Sequence, residues 1–206
     1  MDPVRDPLLV LLGYLSGSVP MGVLVARLTG GRDPRSVGSG RTGGTNALRA
    51  MGWGRGLLTG FLDVAKGAVP VVLARLAGAP DIVVALVGAA AVLGASRSVF
   101  LRFHGGRGVA SAIGAMAVIQ PLVIPVAAPV FFGVIAISRY VSLGSLVGSV
   151  ATVALLALFV ALGVRPPEAL LFGILAAALI FAAHIDNIRR LLRGEERRFT
   201  FGREGT

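Results

Sequence analysis

The sequence predicts an all-α polytopic membrane protein with seven transmembrane helices. Three observations carry this. The mean hydropathy is +0.83. Charged residues make up 15% of the chain and hydrophobic ones 55%, against about a quarter charged in an ordinary soluble domain, so the apolar excess has to face lipid. The apolar residues also gather into runs near the ~20 residues that cross a bilayer as a helix, separated by stretches rich in arginine and glycine.

The runs fall at residues 7–28, 57–77, 82–100, 109–119, 122–137, 143–162 and 168–183. The second contains Asp63 and Lys66, three residues apart; intramembrane charges are costly and usually paired, which makes a structural ion pair the expectation. The fourth is short for a full crossing, and Pro121, Pro125 and Pro129 crowd its junction with the fifth. Arginine placement supports seven runs. Arg32, Arg35, Arg41, Arg49 and Arg55, then Arg97, Arg102 and Arg107, then Arg139, and finally Arg189, Arg190, Arg193, Arg197, Arg198 and Arg203 all fall on one side. Arg5 and Arg165 fall on the other. Cytoplasmic loops collect Lys and Arg, so the amino terminus is expected outside and the carboxyl terminus in the cytoplasm. Merging the fourth and fifth runs would put the basic tail on the wrong side. Segments such as "GAAAVLGAS" and "SAIGAMA" suit helices whose backbones approach closely in lipid. No signal peptide or soluble domain stands out, and residues 1–206 read as one integral-membrane domain.

Composition excludes several chemistries. Cysteine is absent and there are two histidines, His104 and His184, so disulfides, thiolate sites and histidine metal cages are not expected. No metal or cofactor is called for. The net charge of +10 fits basic loops against anionic lipid better than nucleic acid.

Three polar clusters share the cytoplasmic side. "SVGSGRTGGTNALR", residues 36–49, combines glycines with Ser39, Thr42, Thr45, Asn46, Arg41 and Arg49. Exposed backbone N–H groups and forked guanidinium donors suit an anion; a basic loop against lipid phosphates would also use them. "FHGGRGVAS", residues 103–111, sets Gly105, Gly106, Arg107 and Gly108 before a helix of small residues. That is a phosphate-cradle layout without the Walker A spacing. "HIDNIRRLLRGEE", residues 184–196, puts His184 and Asn187 on one helical face. His184 there is a proton carrier or an interfacial histidine. Ser142 and Ser145 begin the sixth run, where they cap the helix or donate to an anion.

These pieces, together with "GSVPMGVLVARL" and "DVAKGAVP", come in one order along nearly the whole chain. In that order the chain resembles the bacterial acyl-phosphate:glycerol-3-phosphate acyltransferases of the PlsY type. The resemblance implies a multi-pass enzyme of the cell inner membrane, active on its cytoplasmic side. It moves a fatty acyl group from acyl-phosphate to the 1-hydroxyl of glycerol 3-phosphate. The products are lysophosphatidic acid and inorganic phosphate, on the way to phospholipid. Its partners are those two substrates and membrane lipid, with a monomer expected. The resemblance assigns catalytic roles to Ser39, Arg49, His184 and Asn187. It assigns substrate binding to Gly38, Gly40, Thr45, Asn46, Gly105, Gly106, Arg107, Gly108, Ser142 and Ser145. Asn46 would also support its loop, and Glu195 or Glu196 would match a structural tail glutamate. Either His184 or an oxygen of the acyl-phosphate takes the hydroxyl proton; no serine with a partnered base suggests an acyl-enzyme.

The chain departs from the family pattern at four places: Arg41 replaces an asparagine, Gly44 an alanine and Arg107 a lysine, and Ser96 and Ser98 stand in "GASRSVF" where a Gly-His is usual. The alternative is a divergent paralogue that binds or transports an anion or lipid phosphate. Its motive is the glycine clusters with Asp63 and Lys66.

Overall fold

The computed structural model describes residues 2–199, and every regular element among them is helical. The α-helices are α1 (Arg5–Ser18), α2 (Met21–Leu28), α3 (Gly44–Met51), α4 (Trp53–Leu76), α5 (Asp81–Ser96), α6 (Val109–Ile119), α7 (Ile124–Ser138), α8 (Val141–Ala161), α9 (Pro167–Ala183) and α10 (Ile185–Leu192). Four stretches are long and apolar enough to cross a membrane: Trp53–Leu76, Asp81–Leu101, Pro121–Ser138 and Val141–Ala161. Two more are bent pairs, α1 with α2 at 48° and α9 with α10 at 62°. The apolar α6 is shorter, at Val109–Ile119. The protein is an integral membrane helical bundle.

Two elements differ from the sequence reading. The first run is not one helix: it breaks at Val19–Pro20, because proline has no N–H to donate to the preceding turn and its ring clashes there. The loop after α2 contains α3, and α4 starts at Trp53 rather than near 57. Gly52, at φ 81°, supplies the sharp turn between them. The basic tail begins as the helix α10, in line with the helical face expected for His184 and Asn187; Arg203 lies outside the described residues.

Helix α5 is the central post. Most of its residues are buried, and it packs against α1, α4, α6 and α9. Val71, Val83, Val87, Val92, Leu156, Phe172 and Ile180 form the core around it. The crossings are backbone-close. A Cβ at Gly17 would strike the Ala91 carbonyl, and one at Gly94 the Tyr14 carbonyl, across α1 and α5. Across α4 and α6, a Cβ at Gly67 would strike the Ser111 carbonyl and one at Gly114 the Val64 carbonyl. With lipid on the far side, such contacts hold helices together through packing rather than through expulsion of water.

The charges inside α4 brace the α1–α2 break. Asp63 and Lys66 form a buried pair with Nζ–Oδ1 at 2.7 Å. Lys66 Nζ also donates to the Val19 carbonyl at 2.9 Å, at the break itself. Pro70 lies within α4 and cannot donate to the Lys66 carbonyl one turn back; the Ser16 hydroxyl donates there instead, at 2.8 Å. Helix α2 then carries Gly22 against the Thr42 carbonyl, which supports the loop that precedes α3.

Gly114→Leu forces apart the α4–α6 crossing and should cost on the order of 3 kcal/mol. Gly133→Ala, inside α7 where a Cβ meets nothing within 4 Å, should keep or raise stability, by up to about 1 kcal/mol. Thermal unfolding in detergent compares the two.

Candidate active site

A cavity of about 680 Å³ opens where the three polar clusters meet. Its polar end is formed by Ser39, Arg41, Thr45, Asn46 and Arg49 of the first cluster, Gly106, Arg107 and Gly108 of the second, and His184 of the third, together with Ser142 and Ser145. Its apolar end lies between α4 and α7, lined by Leu57, Phe61, Phe131, Phe132 and Ile135. A smaller recess adjoins the polar end, lined by Ser39, Thr45, Arg49, Arg107, Ser142, Glu196 and Arg197.

Asn46 builds the first loop. It is 3% exposed. Its Nδ2 donates to the carbonyls of Pro34, Val37 and Arg41 at 2.6, 3.1 and 2.9 Å, and its Oδ1 accepts from the Ser39 N–H at 3.1 Å. One amide at the start of α3 therefore gathers four points of the preceding chain, which a loop needs to hold a fixed shape without a ladder. Gly38 packs on Asn46 Oδ1 at φ 54°, so no larger residue fits there. Gly38 and Gly40 shape the turn but do not line the cavity. The Gly40 amide donates to Val37, so it serves the turn rather than an anion.

The second loop is held against the end of α5. The Gly106 amide donates to the Ala95 carbonyl at 2.8 Å, and a Cβ at Gly105 would crowd that same oxygen at 2.5 Å. Here too the expected exposed-amide cradle is replaced by a packing role, with Gly105 off the cavity wall. Gly108, at φ 77°, turns the chain into α6 and leaves Arg107 beside the cavity. The Arg107 guanidinium is half-buried and makes no ion pair or hydrogen bond among the described residues; its Nε is fully sheltered. Burial, with Arg41 nearby, lowers its pKa to about 10. Glu196 is the nearby carboxylate that counters this lowering, and a sheltered guanidinium in such a setting suits an anionic group.

Of the two histidines, His104 is exposed and bonds the Arg102 carbonyl away from the cavity. His184 is 1% exposed and follows α9 at the bend. Its Nδ1 lies 2.8 Å from the Ile180 carbonyl. A carbonyl only accepts, so Nδ1 carries the proton and Nε2 presents a lone pair. Burial pushes the ring's pKa down to about 4.

Glu196 is the hub of the tail. Its Oε1 accepts from Asn187 Nδ2 at 2.7 Å and from the Ser142 hydroxyl at 3.1 Å; its Oε2 accepts from Arg190 at 2.9 Å. Asn187 thus stands behind the cavity wall rather than on it, with its Oδ1 buried and without a partner. Ser145 donates to the Val141 carbonyl, and neither serine caps α8. Arg41 lines the cavity and reaches the Gly105 carbonyl at 3.4 Å and Asp186 at 4.0 Å. The sequence placed Arg41 among the anion-suited donors of the first cluster and marked it as a departure, and the resemblance gave it no catalytic or binding role. Sequence reasoning left out Phe131, Phe132 and Phe199, whose place on the cavity depends on contacts distant in sequence. No group of acidic, histidine or cysteine side chains among the described residues could hold a metal ion.

Comparison with known proteins gives a consistent picture. The family model for glycerol-3-phosphate acyltransferase matches residues 7–194. A glycerol-3-phosphate acyltransferase of Thermus thermophilus is 48% identical over 189 residues, covering 92% of each chain. One from Geobacter sulfurreducens is 42% identical over 196 residues, 95% of this chain and 98% of its own. Among solved structures, the crystal structure of PlsY, an integral membrane glycerol 3-phosphate acyltransferase in its glycerol 3-phosphate form, superposes with a TM-score of 0.86 at 38% identity, covering 95% of this chain and 96% of that one. Its lysophosphatidic acid form gives 0.83 at 36% identity.

Sulfate keeps one charge state across the range of interest, so its binding reports the protein's own groups. Calorimetry should find no step near pH 6.5, since His184 is already neutral there. Affinity should fall as pH approaches about 10 and Arg107 loses its charge, and Arg107→Gln should abolish that alkaline step.

Proposed function

The chain belongs to the glycerol-3-phosphate acyltransferase family, and from that premise we propose that acyl-phosphate is its donor and the 1-hydroxyl of glycerol 3-phosphate its acceptor, with lysophosphatidic acid and inorganic phosphate as products. The observation that carries this reading is the single cavity that joins Arg41, Arg49 and Arg107 to an apolar wall of α4 and α7. A donor with a phosphate head and a fatty tail matches both ends; the second substrate brings another phosphate to the same arginines.

Acyl-phosphate is an activated mixed anhydride, so the site's work is to position the hydroxyl and stabilise charge. Ser39, Arg49 and Arg107 hold the phosphates. His184 accepts a hydrogen bond from the attacking hydroxyl through Nε2. With a pKa of about 4 its ring is a weak base. The departing phosphate oxygen, which gains the electron pair as the acyl–oxygen bond breaks, is the better proton acceptor. Asn187 acts through Glu196 and through its unpartnered Oδ1. The seven runs then read as seven crossings, with α6 the short one, the amino terminus outside and the site on the cytoplasmic face. The transporter alternative drew on Asp63 and Lys66, and both are engaged in bracing the α1–α2 break.

Membranes containing the protein should release phosphate and form lysophosphatidic acid when given acyl-phosphate and glycerol 3-phosphate. Ser39→Ala and Arg49→Ala should each lower the rate by at least about 100-fold. Full activity in both would overturn the assignment of the phosphate site. Acyl-CoA or acyl carrier protein serving equally well would overturn the donor.

A further inference from the structure

Beyond α10 the chain turns back across the polar end of the cavity. Glu196 is pinned to α8 and α10 through Ser142, Asn187 and Arg190. The Phe199 amide donates to the Arg139 carbonyl at 2.7 Å. The Arg198 guanidinium lies over the Tyr140 ring at 6.0 Å. The Phe199 ring meets Trp53, the first residue of α4, edge-on with centroids 6.3 Å apart. Arg197 lines the small recess and Phe199 lines the main cavity. This five-residue strap joins the start of α8 to the start of α4, on either side of the cavity mouth, and each anchor is of a different kind. Residues 195–199 lie beyond the stretch that the family model matches.

We propose that this strap is the water-excluding wall of the acyl-transfer site and that Phe199 is a positioning residue for transfer over hydrolysis. The proposal rests on the acyl-phosphate reading above. Acyl-phosphate is as open to water as to the glycerol hydroxyl. In the side reaction a water oxygen bonds to the acyl carbon, the bond from that carbon to the phosphate oxygen breaks, and phosphate leaves with the electron pair. Phosphate takes one water proton, and the products are a fatty acid and inorganic phosphate. A bound hydroxyl wins only where water is kept out. An aromatic ring wedged against Trp53 does that at the mouth, and a small side chain there opens it.

The test uses the full chain, purified in detergent, with acyl-phosphate and glycerol 3-phosphate. Phosphate is read by colorimetry and lysophosphatidic acid by mass spectrometry. The unmodified chain should give the two products in equal amounts. Phe199→Ala should release phosphate in about twofold or greater excess over lysophosphatidic acid, and Phe199→Trp should restore equality. If Phe199→Ala does not survive purification, Phe199→Leu, which keeps bulk but loses the edge-on ring contact, is compared with Phe199→Trp in the same way. Equal products in the Ala or Leu variant, whether at full rate or with both rates lowered together, overturn the proposal. No phosphate release by the unmodified chain overturns the donor reading, and the proposal with it.

Discussion

One ammonium group organises the upper half of this bundle. Lys66 sits in the middle of an apolar helix, where an unpaired charge would be costly. It is satisfied twice, by Asp63 in its own helix and by the Val19 carbonyl at the broken end of α1. That carbonyl lies at the break before Pro20, where it also accepts from the Met21 N–H at 3.1 Å. The Lys66 carbonyl needs a donor because of Pro70, and Ser16 of α1 supplies it. One proline, Pro70, thus leaves an acceptor that Ser16 serves, and Lys66 adds a second donor to the Val19 carbonyl at the break, so that a serine and a lysine donate across the α1–α4 interface. The direction of α2, the Gly22–Thr42 contact and the loop carrying Ser39 all follow from this exchange.

The site itself is defined by an imbalance of charge. Glu196 is fully engaged by three donors, and Asp186 lies exposed at 4.0 Å from Arg41. That leaves Arg107 sheltered beside Arg41 and Arg49, with its depressed pKa recording the strain of like charges in a poorly solvated place. The apolar wall between α4 and α7 adjoins the same space. A cavity built this way is suited to an amphiphilic anion, in keeping with the glycerol-3-phosphate acyltransferase family to which the chain belongs.

Much of this was legible. Hydropathy runs announced the helices, the shared side of the arginines gathered the three clusters, and the order of the motifs pointed to the family. Small residues marked the close helix crossings. Two kinds of feature were not legible. The glycines of the clusters read as amides offered to an anion, yet Gly40 and Gly106 donate to Val37 and Ala95, because a loop must satisfy its own backbone before it can serve a ligand. The resemblance marked Glu195 or Glu196 as a structural glutamate, but which of the two, and what it ties together, shows only where α8 and α10 converge on Glu196.

The sequence by itself determined the class of the protein and the identity of its polar clusters, since these depend on composition and local order. Tertiary structure alone decided the tie of Lys66 to the break at Val19, the cavity that joins cations to an apolar groove, and the return of Phe199 to Trp53. Each of these joins residues far apart in the chain, and their energies arise only when backbone groups that pattern cannot pair find donors on another helix.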